Sequence, residues 1–464
     1  MEYKRPPPSP PKLQPRLIIH GGAGNITPTS LTPDRYREYR AALLTIISKS
    51  HTYMTTPSPT LLPTALATAT HALTLLENCP LFNAAHGAVF TRDGTNELEA
   101  SIMVTRGAAK RGVAVSGLRR VRNPILLARE ILLRGDEDLS PPRAVSAGLV
   151  ARSGEGGEGG GWLDVPSAQG HTHLHGASAE QLAALYGLPL VEPSYFFTQR
   201  RWDEHVRGLE RERQGGGVSA SWSKDEYLPQ GTCGAVAVDE DGVVCCATST
   251  GGLTNKLSGR IGDTPAVGAG FWAEEWVDPS QMRREGPVVE LSGVLRGLVA
   301  DCLPTPWMYN PVLGGRPGEL VTTRSVAVSG TGNGDSFLRT AAARTVGSIA
   351  RFAGLSSAAA LAKVSGPGGE LQRSAGDRWG KTGEGEGGMI GIECVVVRDA
   401  ERNVVEVRSE LLQDYNCGGM FRAWVDDKGV AFARVFREDQ AVPAAYVGEG
   451  EPENPRVWCG EKLG

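Results

Sequence analysis

A threonine lies at an abrupt change in the composition of the chain. Residues 215–230 are polar and mostly small, whereas Thr232 is followed by the apolar run of residues 234–238. A threonine hydroxyl is a weak nucleophile unless a base lies beside it. An amine with a pKa of about 8 beside the hydroxyl would be a usable base at neutral pH. Without other evidence, the simpler interpretation of Thr232 is a β-branched residue that starts a strand.

A cation and an anion follow within the next few turns of the chain. Arg260 and Asp263 are separated by Ile261 and Gly262, and the glycine lets the backbone bend between them. A guanidinium suits a carboxylate through two N–H groups, and a carboxylate suits an ammonium. The segment therefore predicts a grip on the two opposite charges of one small molecule, with a plain surface ion pair as the alternative.

A third polar segment alternates with glycine just before a predicted helix. It contains Thr331, Gly332, Asn333 and Gly334. Such a segment can present several backbone N–H groups to an anion, although it can equally form a tight turn that caps the helix. It does not match the G-x-G-x-x-G pattern of dinucleotide-binding proteins.

The elements around these segments change from mainly helices to hairpins. Residues 234–238 turn at residues 240–242 and return over 243–248, and this hairpin brings Thr250 back near Thr232. The other predictions are a short strand at 17–19 that ends at the Gly-rich segment 20–24, helices after the cap Thr32 and over 63–77, 124–133, 178–186, 200–214 and 336–354, and a second hairpin of 390–397 with 404–409.

Both hairpins are mainly apolar, so each needs to be covered on two faces. Two sheets packed together with helices outside them satisfy this need, which predicts an α+β fold. Several segments fall outside these elements: a disordered tail at 1–15, Gly-rich or irregular insertions at about 153–161, 275–322 and 360–388, and a mobile linker at about 215–230.

The composition narrows the range of partners. A net charge of -4 gives no electrostatic reason to expect nucleic acid or a membrane surface. The eight cysteines include no C-x-x-C pair and no Cys/His metal spacing, which favours free thiols, a reducing compartment and no required metal. The amino-terminal residues have no apolar core of a secretory signal, and we expect a cytoplasmic protein.

Several motifs resemble the plant-type asparaginase family, which includes isoaspartyl (β-aspartyl) peptidases. The resemblance covers roughly residues 16–135, 175–270, 325–354 and 385–430. The matching motifs are residues 231–239, 247–252 and 259–265, together with 20–24, 81–91, 98–103, 121–125 and 416–422.

The resemblance implies roles for particular residues. Thr232 matches the nucleophile that is freed by a cut after Gly231, and Thr250 matches the threonine that holds it. Asn83 matches an asparagine that lines the site. The remaining implied roles are oxyanion-hole donors at Thr331 and Gly332, and substrate contacts from Arg260, Ile261, Gly262, Asp263, Thr331, Gly332, Asn333 and Gly334.

The family also implies a fold and a reaction. The fold is the four-layer αββα sandwich of N-terminal-nucleophile hydrolases, with an alpha part at 16–231 and a beta part at 232–464, and two such heterodimers pair. The reaction is hydrolysis of L-asparagine, of β-aspartyl dipeptides, or of both, with a small molecule as substrate and no required cofactor. Family members often hold a structural sodium ion in a loop of the alpha part, where this chain departs from the pattern at residues 85–86 and 104–105.

Three other interpretations stay open at this point. Glycosylasparaginases and taspase-like threonine proteases usually carry Asp before the threonine, where this chain has Gly231. An unprocessed relative that acts as a binding protein is the alternative of a different class, and the intact set of Thr232, Thr250, Arg260 and Asp263 argues against it.

Overall fold

The computed structural model describes residues 13–139, 168–216, 231–278, 320–437 and 461–462. The predicted tail at 1–15, the insertion at 153–161, the linker at 215–230 and most of the insertion at 275–322 lie wholly or largely outside these residues.

Strands and helices both contribute to the described residues, which makes the fold α+β as predicted. The strands are β1 Arg16–Gly24, β2 Leu98–Val104, β3 Gly112–Leu118, β4 His173–His175, β5 Cys233–Val238, β6 Val244–Thr250, β7 Phe271–Val277, β8 Val321–Gly332, β9 Gly387–Arg398, β10 Val404–Tyr415, β11 Gly419–Val425, β12 Val430–Arg434 and β13 Glu461–Lys462. The helices are α1 Pro33–Thr55, α2 Ala65–Glu77, α3 Pro124–Asp138, α4 Gly176–Leu185, α5 Gln199–Arg211, α6 Gly334–Thr340, α7 Ala342–Phe352, α8 Ser357–Ser365 and α9 Glu370–Ser374.

The strands form two sheets. The larger sheet has the order β13-β12-β11-β1-β5-β6-β2-β3-β4, and the smaller has the order β10-β9-β8-β7. Both predicted hairpins, β5 with β6 and β9 with β10, are confirmed. Strand β1 lies between β5 and β11, so an amino-terminal strand pairs on both sides with strands that follow Thr232.

Alternate side chains of β5 point into two different cores. Ala235 and Ala237 pack in one cluster with residues of α1 and α2, such as Leu73. Val236 and Val238 pack in a second cluster that includes Phe271 of the smaller sheet. This separation follows from the two-residue period of a strand, which sends neighbouring side chains to opposite faces.

A third core lies on the other side of the smaller sheet. Val326 and Val328 of β8 pack there with Val346 of α7 and Leu361 of α8. Among the described helices, none has the length and apolar character that a membrane span requires.

The prediction that β1 stops at residue 19 is wrong. The strand continues through Gly24, with a bulge between His20 and Gly22 where it pairs with β11. Its glycines allow close approach: a Cβ on Gly21 would lie 2.3 Å from the ring of Phe82. The glycines of this strand therefore serve close packing at Gly21 and a positive backbone φ at Gly22 and Gly24, and they do not mark a loop.

The predicted helix at 336–354 is broken in two. Ala341 separates α6 from α7 and has a left-handed backbone with φ of 45°. The backbone N–H groups of Ala343 and Arg344 donate to the carbonyls of Ala269 and Gly268. Carbonyl groups of a loop distant in sequence therefore accept from the backbone N–H groups in the first turn of α7. The local sequence does not reveal this contact.

Two segments expected to lack regular structure contain elements. Helices α8 and α9 lie within 360–388 or at its start, and Ser356 caps α8 by accepting a hydrogen bond from Ala359. Residues 271–277, whose last three fall in the insertion predicted at about 275–322, form β7, although buried Glu274 interrupts their apolar pattern. Glu274 pairs with Arg344 and Arg351 of α7, so its burial depends on a partner distant in sequence.

Candidate active site

Thr232 lies directly before β5 and is buried. Its backbone N–H donates to Oγ1 of Thr331, 2.8 Å away. Its own Oγ1 lies 3.1 Å from Oγ1 of Thr264, and either hydroxyl can be the donor. The residue before it is packed just as closely, because a Cβ on Gly231 would lie 2.4 Å from Cα of Gly22.

The hydroxyl of Thr331 on β8 is hydrogen-bonded to Thr232 and to β1. It comes from β8 of the smaller sheet, and its Oγ1 accepts hydrogen bonds from the N–H groups of Thr232 and of Ala23 on β1. Because both bonds use the oxygen as acceptor, the hydroxyl proton of Thr331 is left for a third partner. After a cut before Thr232, the nitrogen at 2.8 Å would be an α-amine.

The glycine-rich segment after Thr331 caps a helix and packs closely against the backbone at Glu386. Asn333 caps α6 by accepting from the N–H of Ser336, and its own N–H donates to the carbonyl of Glu386. That N–H is therefore not available to an anion. Gly332 has φ of 141°, and a Cβ there would lie 2.4 Å from the carbonyl oxygen of Glu386.

Thr250 and Asn83 form a separate hydrogen-bonded group. Oγ1 of Thr250 accepts from the N–H of Gly252 at 3.0 Å and from Nδ2 of Asn83 at 3.5 Å. The same Nδ2 donates to the carbonyl of Gly252, and Oδ1 of Asn83 accepts from Val89. The register of the hairpin pairs Cys233 with Ser249, so Thr250 lies opposite Thr232, as the sequence predicts.

Arg260 and Asp263 lie together against the start of α6. A Cβ on Gly334 would lie 2.5 Å from Oδ1 of Asp263 and 3.1 Å from Nη2 of Arg260. The same Nη2 donates to Oδ1 of Asp335 at 3.2 Å. Oδ2 of Asp263 accepts no hydrogen bond within the described residues, although Asp263 is only 5% exposed. Of the two residues between them, Gly262 is buried and Ile261 is 41% exposed.

Burial raises the pKa values of the carboxyl groups in and beside this segment. It raises the pKa of Asp263 to about 7, with Glu99 adding to the rise and Arg260 opposing it. The pKa of Glu99 is also raised by burial, with Lys256 opposing. An arriving ammonium would favour the charged form of Asp263, because an opposite charge at short range stabilises a carboxylate.

Glu99 is a site residue to which the sequence assigns no role. Its Oε1 accepts from the N–H of Gly262 at 3.1 Å, and β2 pairs it with Thr250. Lys256 lies in the same cluster and donates to the carbonyl of Glu97. Lys256 is four residues before Arg260, whereas only the pairing of β2 with β6 brings Glu99 to Arg260, so no local pattern could have found Glu99.

Burial makes His20 a weak base at neutral pH. Its Nε2 lies 2.7 Å from Oγ of Ser329. Both atoms occupy space that is free because residue 234 is a glycine: a Cβ on Gly234 would lie 2.1 Å from each of them. Burial lowers the pKa of His20 to about 3, with the backbone of Thr232 opposing. A group with so low a pKa holds almost no proton at pH 7 and is a weak base.

Two carbonyls of the loop expected to hold sodium already contact a side-chain cation, and the sodium ion stays a prediction. The buried guanidinium of Arg201 donates to the carbonyls of Leu81 and Gly87 at 2.7 and 2.8 Å, so a fixed positive charge already uses these oxygens. Within the ranges that the structure describes, no three His, Cys, Asp or Glu residues lie close enough to hold a metal.

Comparison with known proteins identifies relatives of this chain. A family model described as asparaginase matches residues 13–139 and 164–278. An isoaspartyl peptidase of Salmonella typhimurium is 31% identical over 411 residues, which are 88% of this chain and 94% of the relative. An isoaspartyl peptidase of Escherichia coli is 31% identical over 410 residues, 88% of this chain and 92% of the relative.

A plant-type L-asparaginase of Pyrococcus furiosus is 32% identical over 269 residues, 56% of this chain and 70% of the relative. The family match includes Asn83, Thr232, Thr250, Arg260 and Asp263, and it ends before Thr331.

Proposed function

The chain belongs to the asparaginase family, and on that premise we propose that it is an N-terminal-nucleophile hydrolase with Thr232 as its nucleophile. It cuts itself between Gly231 and Thr232 and then hydrolyses L-asparagine to L-aspartate and ammonia, β-aspartyl (isoaspartyl) dipeptides, or both. The observation that carries the proposal is the position of the Thr232 nitrogen, 2.8 Å from the hydroxyl oxygen of Thr331 in a buried setting.

The cut is an exchange of an amide for an ester, followed by hydrolysis. Oγ1 of Thr232 attacks the carbonyl carbon of Gly231 and loses its proton, the C–N bond breaks, and the nitrogen takes up a proton to become the α-amine. Water then hydrolyses the ester and leaves a carboxylate on Gly231. Close packing of Gly231 on Gly22 supports this step, because it holds the attacked carbonyl group in place.

The hydrolysis of substrate uses the same oxygen. The α-amine takes the proton of Oγ1 as Oγ1 attacks the side-chain amide carbonyl, and ammonia or an amino acid leaves with that proton. We assign the oxyanion to donors from Thr331 and Gly332, each of which can contribute a factor of about 10² to 10³ in rate. Water releases L-aspartate and restores Thr232. Asn83 and Thr250 line the site as a hydrogen-bonded pair.

The segments 260–263 and 331–334 hold the rest of the substrate. Arg260 takes the α-carboxylate and Asp263 takes the α-ammonium, which are the charges that asparagine and β-aspartyl dipeptides share. Contact of Gly334 with both side chains supports this assignment, since a side chain there would fill the space between them.

The architecture proposed with this function is the four-layer αββα sandwich, built from an alpha part at 16–231 and a beta part at 232–464. Its support is the presence of three hydrophobic cores. One lies between helices and the larger sheet, one between the two sheets, and one between the smaller sheet and further helices. Because β1 pairs with β5 and β11, the two parts stay joined after the cut. We propose that two such heterodimers pair, as in the family.

The setting of the reaction is proposed to be the cytoplasm, without nucleic acid, membrane or required cofactor as partner. Six cysteines in the described residues are free thiols, which a reducing compartment maintains.

Substitution of the nucleophile tests the proposal. Thr232→Ala should give a single band on a denaturing gel and lose hydrolysis of both L-asparagine and β-aspartyl-leucine by at least about 10³-fold. The matched control is Thr232→Ser, which keeps the hydroxyl and should still yield two fragments. Mass spectrometry of the wild type should find a polypeptide that begins at Thr232; hydrolysis retained by the alanine variant would contradict the mechanism.

A further inference from the structure

The hydroxyl of Thr232 is hydrogen-bonded to the hydroxyl of Thr264. The two Oγ1 atoms are 3.1 Å apart, and Thr264 is completely buried. In the uncut chain, the hydroxyl of Thr250 has other partners, since it accepts from Gly252 and Asn83. Among the hydrogen bonds of the described residues, the bond to Thr264 is the one that restrains the attacking oxygen itself.

Thr264 is fixed by the larger sheet and not only by its loop. Oγ of Ser101 on β2 donates to the carbonyl of Thr264 at 2.7 Å, and it is also hydrogen-bonded to Oγ1 of Thr248 on β6. A hydroxyl has a single proton, so Thr248 must be the donor to Ser101. All three residues are buried, and the bonds form one chain from β6 through β2 to Thr264.

The same segment holds the proposed substrate grip. Thr264 follows Asp263 directly, and the carbonyl of Asp263 accepts from the N–H groups of Ala266 and Gly270 at 3.0 and 3.1 Å. The N–H of Gly330, the residue before Thr331, donates in turn to the carbonyl of Gly270. The residue that contacts the nucleophile and the residue for the α-ammonium therefore lie next to each other in one hydrogen-bonded turn.

We propose that Thr264 is a positioning residue that holds Oγ1 of Thr232 in one side-chain rotamer before the cut. The proposal rests on the assignment of Thr232 as nucleophile. A threonine side chain has several staggered rotamers, and only one can place Oγ1 near the carbonyl carbon of Gly231. Loss of one buried, neutral hydrogen bond corresponds to about a tenfold change in the population of that rotamer and in the rate of the cut.

The test removes the hydroxyl without changing the shape of the side chain. Thr264→Val should slow the appearance of the two fragments in a timed expression experiment by about tenfold, and Thr264→Ser should cut within about threefold of the wild type. The control is Thr68→Val, which removes another buried threonine hydroxyl, on α2, far from Thr232 in sequence; Thr68 Oγ1 makes no hydrogen bond within the described residues. Thr68→Val should cut at the wild-type rate.

The result that overturns the proposal is cutting by Thr264→Val at the wild-type rate. Melting temperatures of the valine and serine variants separate a loss of folding from a loss of positioning. If the valine variant does not fold, Thr264→Ala is compared with Thr264→Ser, and equal rates for these two overturn the proposal. Failure of the wild type itself to cut would instead refute the proposed function, so the two failures are distinct.

Discussion

Two neighbouring regions of the site are built from different chemistry. The hydroxyl region consists of neutral side chains, Ser101, Thr232, Thr248, Thr264 and Thr331, joined by hydrogen bonds between strands. The charged region consists of Glu97, Glu99, Lys256, Arg260 and Asp263, which lie on β2, beside it, and on the loop after β6.

The difference shows how one site can combine fixed geometry with adjustable charge. Neutral hydroxyls between paired strands keep their positions at any ordinary pH, because strand register and hydrogen bonds hold them. Buried carboxylates instead respond to each nearby charge, since burial penalises their ionised form. We therefore expect the cut to depend on the hydroxyl region and substrate affinity to depend on the charged region.

The largest effect that separates the two regions is expected at Arg260. Arg260→Lys keeps the positive charge but loses the planar pair of donors that matches a carboxylate. KM for L-asparagine should rise by about 10- to 100-fold, the equivalent of one or two charge-assisted hydrogen bonds. The cut should proceed at the wild-type rate, because it uses no substrate carboxylate.

Fragment formation and steady-state kinetics on the same preparation measure both quantities. Equal slowing of the cut and of hydrolysis in Arg260→Lys would show that the two regions are not separable.

An intermediate effect is expected from pH. Below a pH of about 7 Asp263 is largely protonated and neutral, and above it the carboxylate is charged and can pair with the substrate ammonium. Affinity should therefore increase as pH rises through 7, by about tenfold between pH 6 and pH 8.

Inhibition constants for L-aspartate across this range give the measurement. They report binding, and not the rate of a step in which the Thr232 amine acts as a base. Asp263→Asn is the control and should bind more weakly with a flat profile. A profile of the wild type that is as flat as that of the variant would remove Asp263 as the titrating group.

The smallest effect on activity is expected at Glu77, the ionisable group beneath the hydroxyl region. Burial raises its pKa from 4.5 to about 7, against hydrogen bonds from Ser249, Asn123 and Ile125. Between these two values the folded chain binds a proton that the unfolded chain has lost, so the free energy of unfolding falls as pH rises from about 4.5 to about 7.

Glu77→Gln should remove this slope and change the turnover of processed enzyme by less than about twofold, because Glu77 is packed against Ser249 on the helix side of the hairpin and contacts no proposed substrate group. Melting temperatures at several pH values are measured in the uncut Thr232→Ala background, with and without Glu77→Gln, so that both proteins unfold as one unbroken chain. Parallel pH curves for the two proteins would contradict the prediction.

Local patterns in the sequence predicted a large part of this site. The hairpin that places Thr250 opposite Thr232 follows from residues within twenty positions, and the loop with Arg260 and Asp263 follows directly. The continuation of β1 through Gly24 was missed, because a glycine required by close packing has the same letter as a glycine in a loop. The break at Ala341 was missed because its partners are the carbonyls of Gly268 and Ala269.

By itself, the sequence determined most of the helices and both hairpins, since each depends on neighbours along the chain, and its resemblance to a known family indicated the candidate nucleophile. Only the tertiary structure decided that Thr331 meets the nitrogen of Thr232 from 99 residues away, that Thr264 meets its hydroxyl, and that Glu99 lies behind the substrate grip. The physical reason is that periodicity and capping act over a few residues, whereas these contacts depend on how two sheets pack and on the register of strands far apart in the chain.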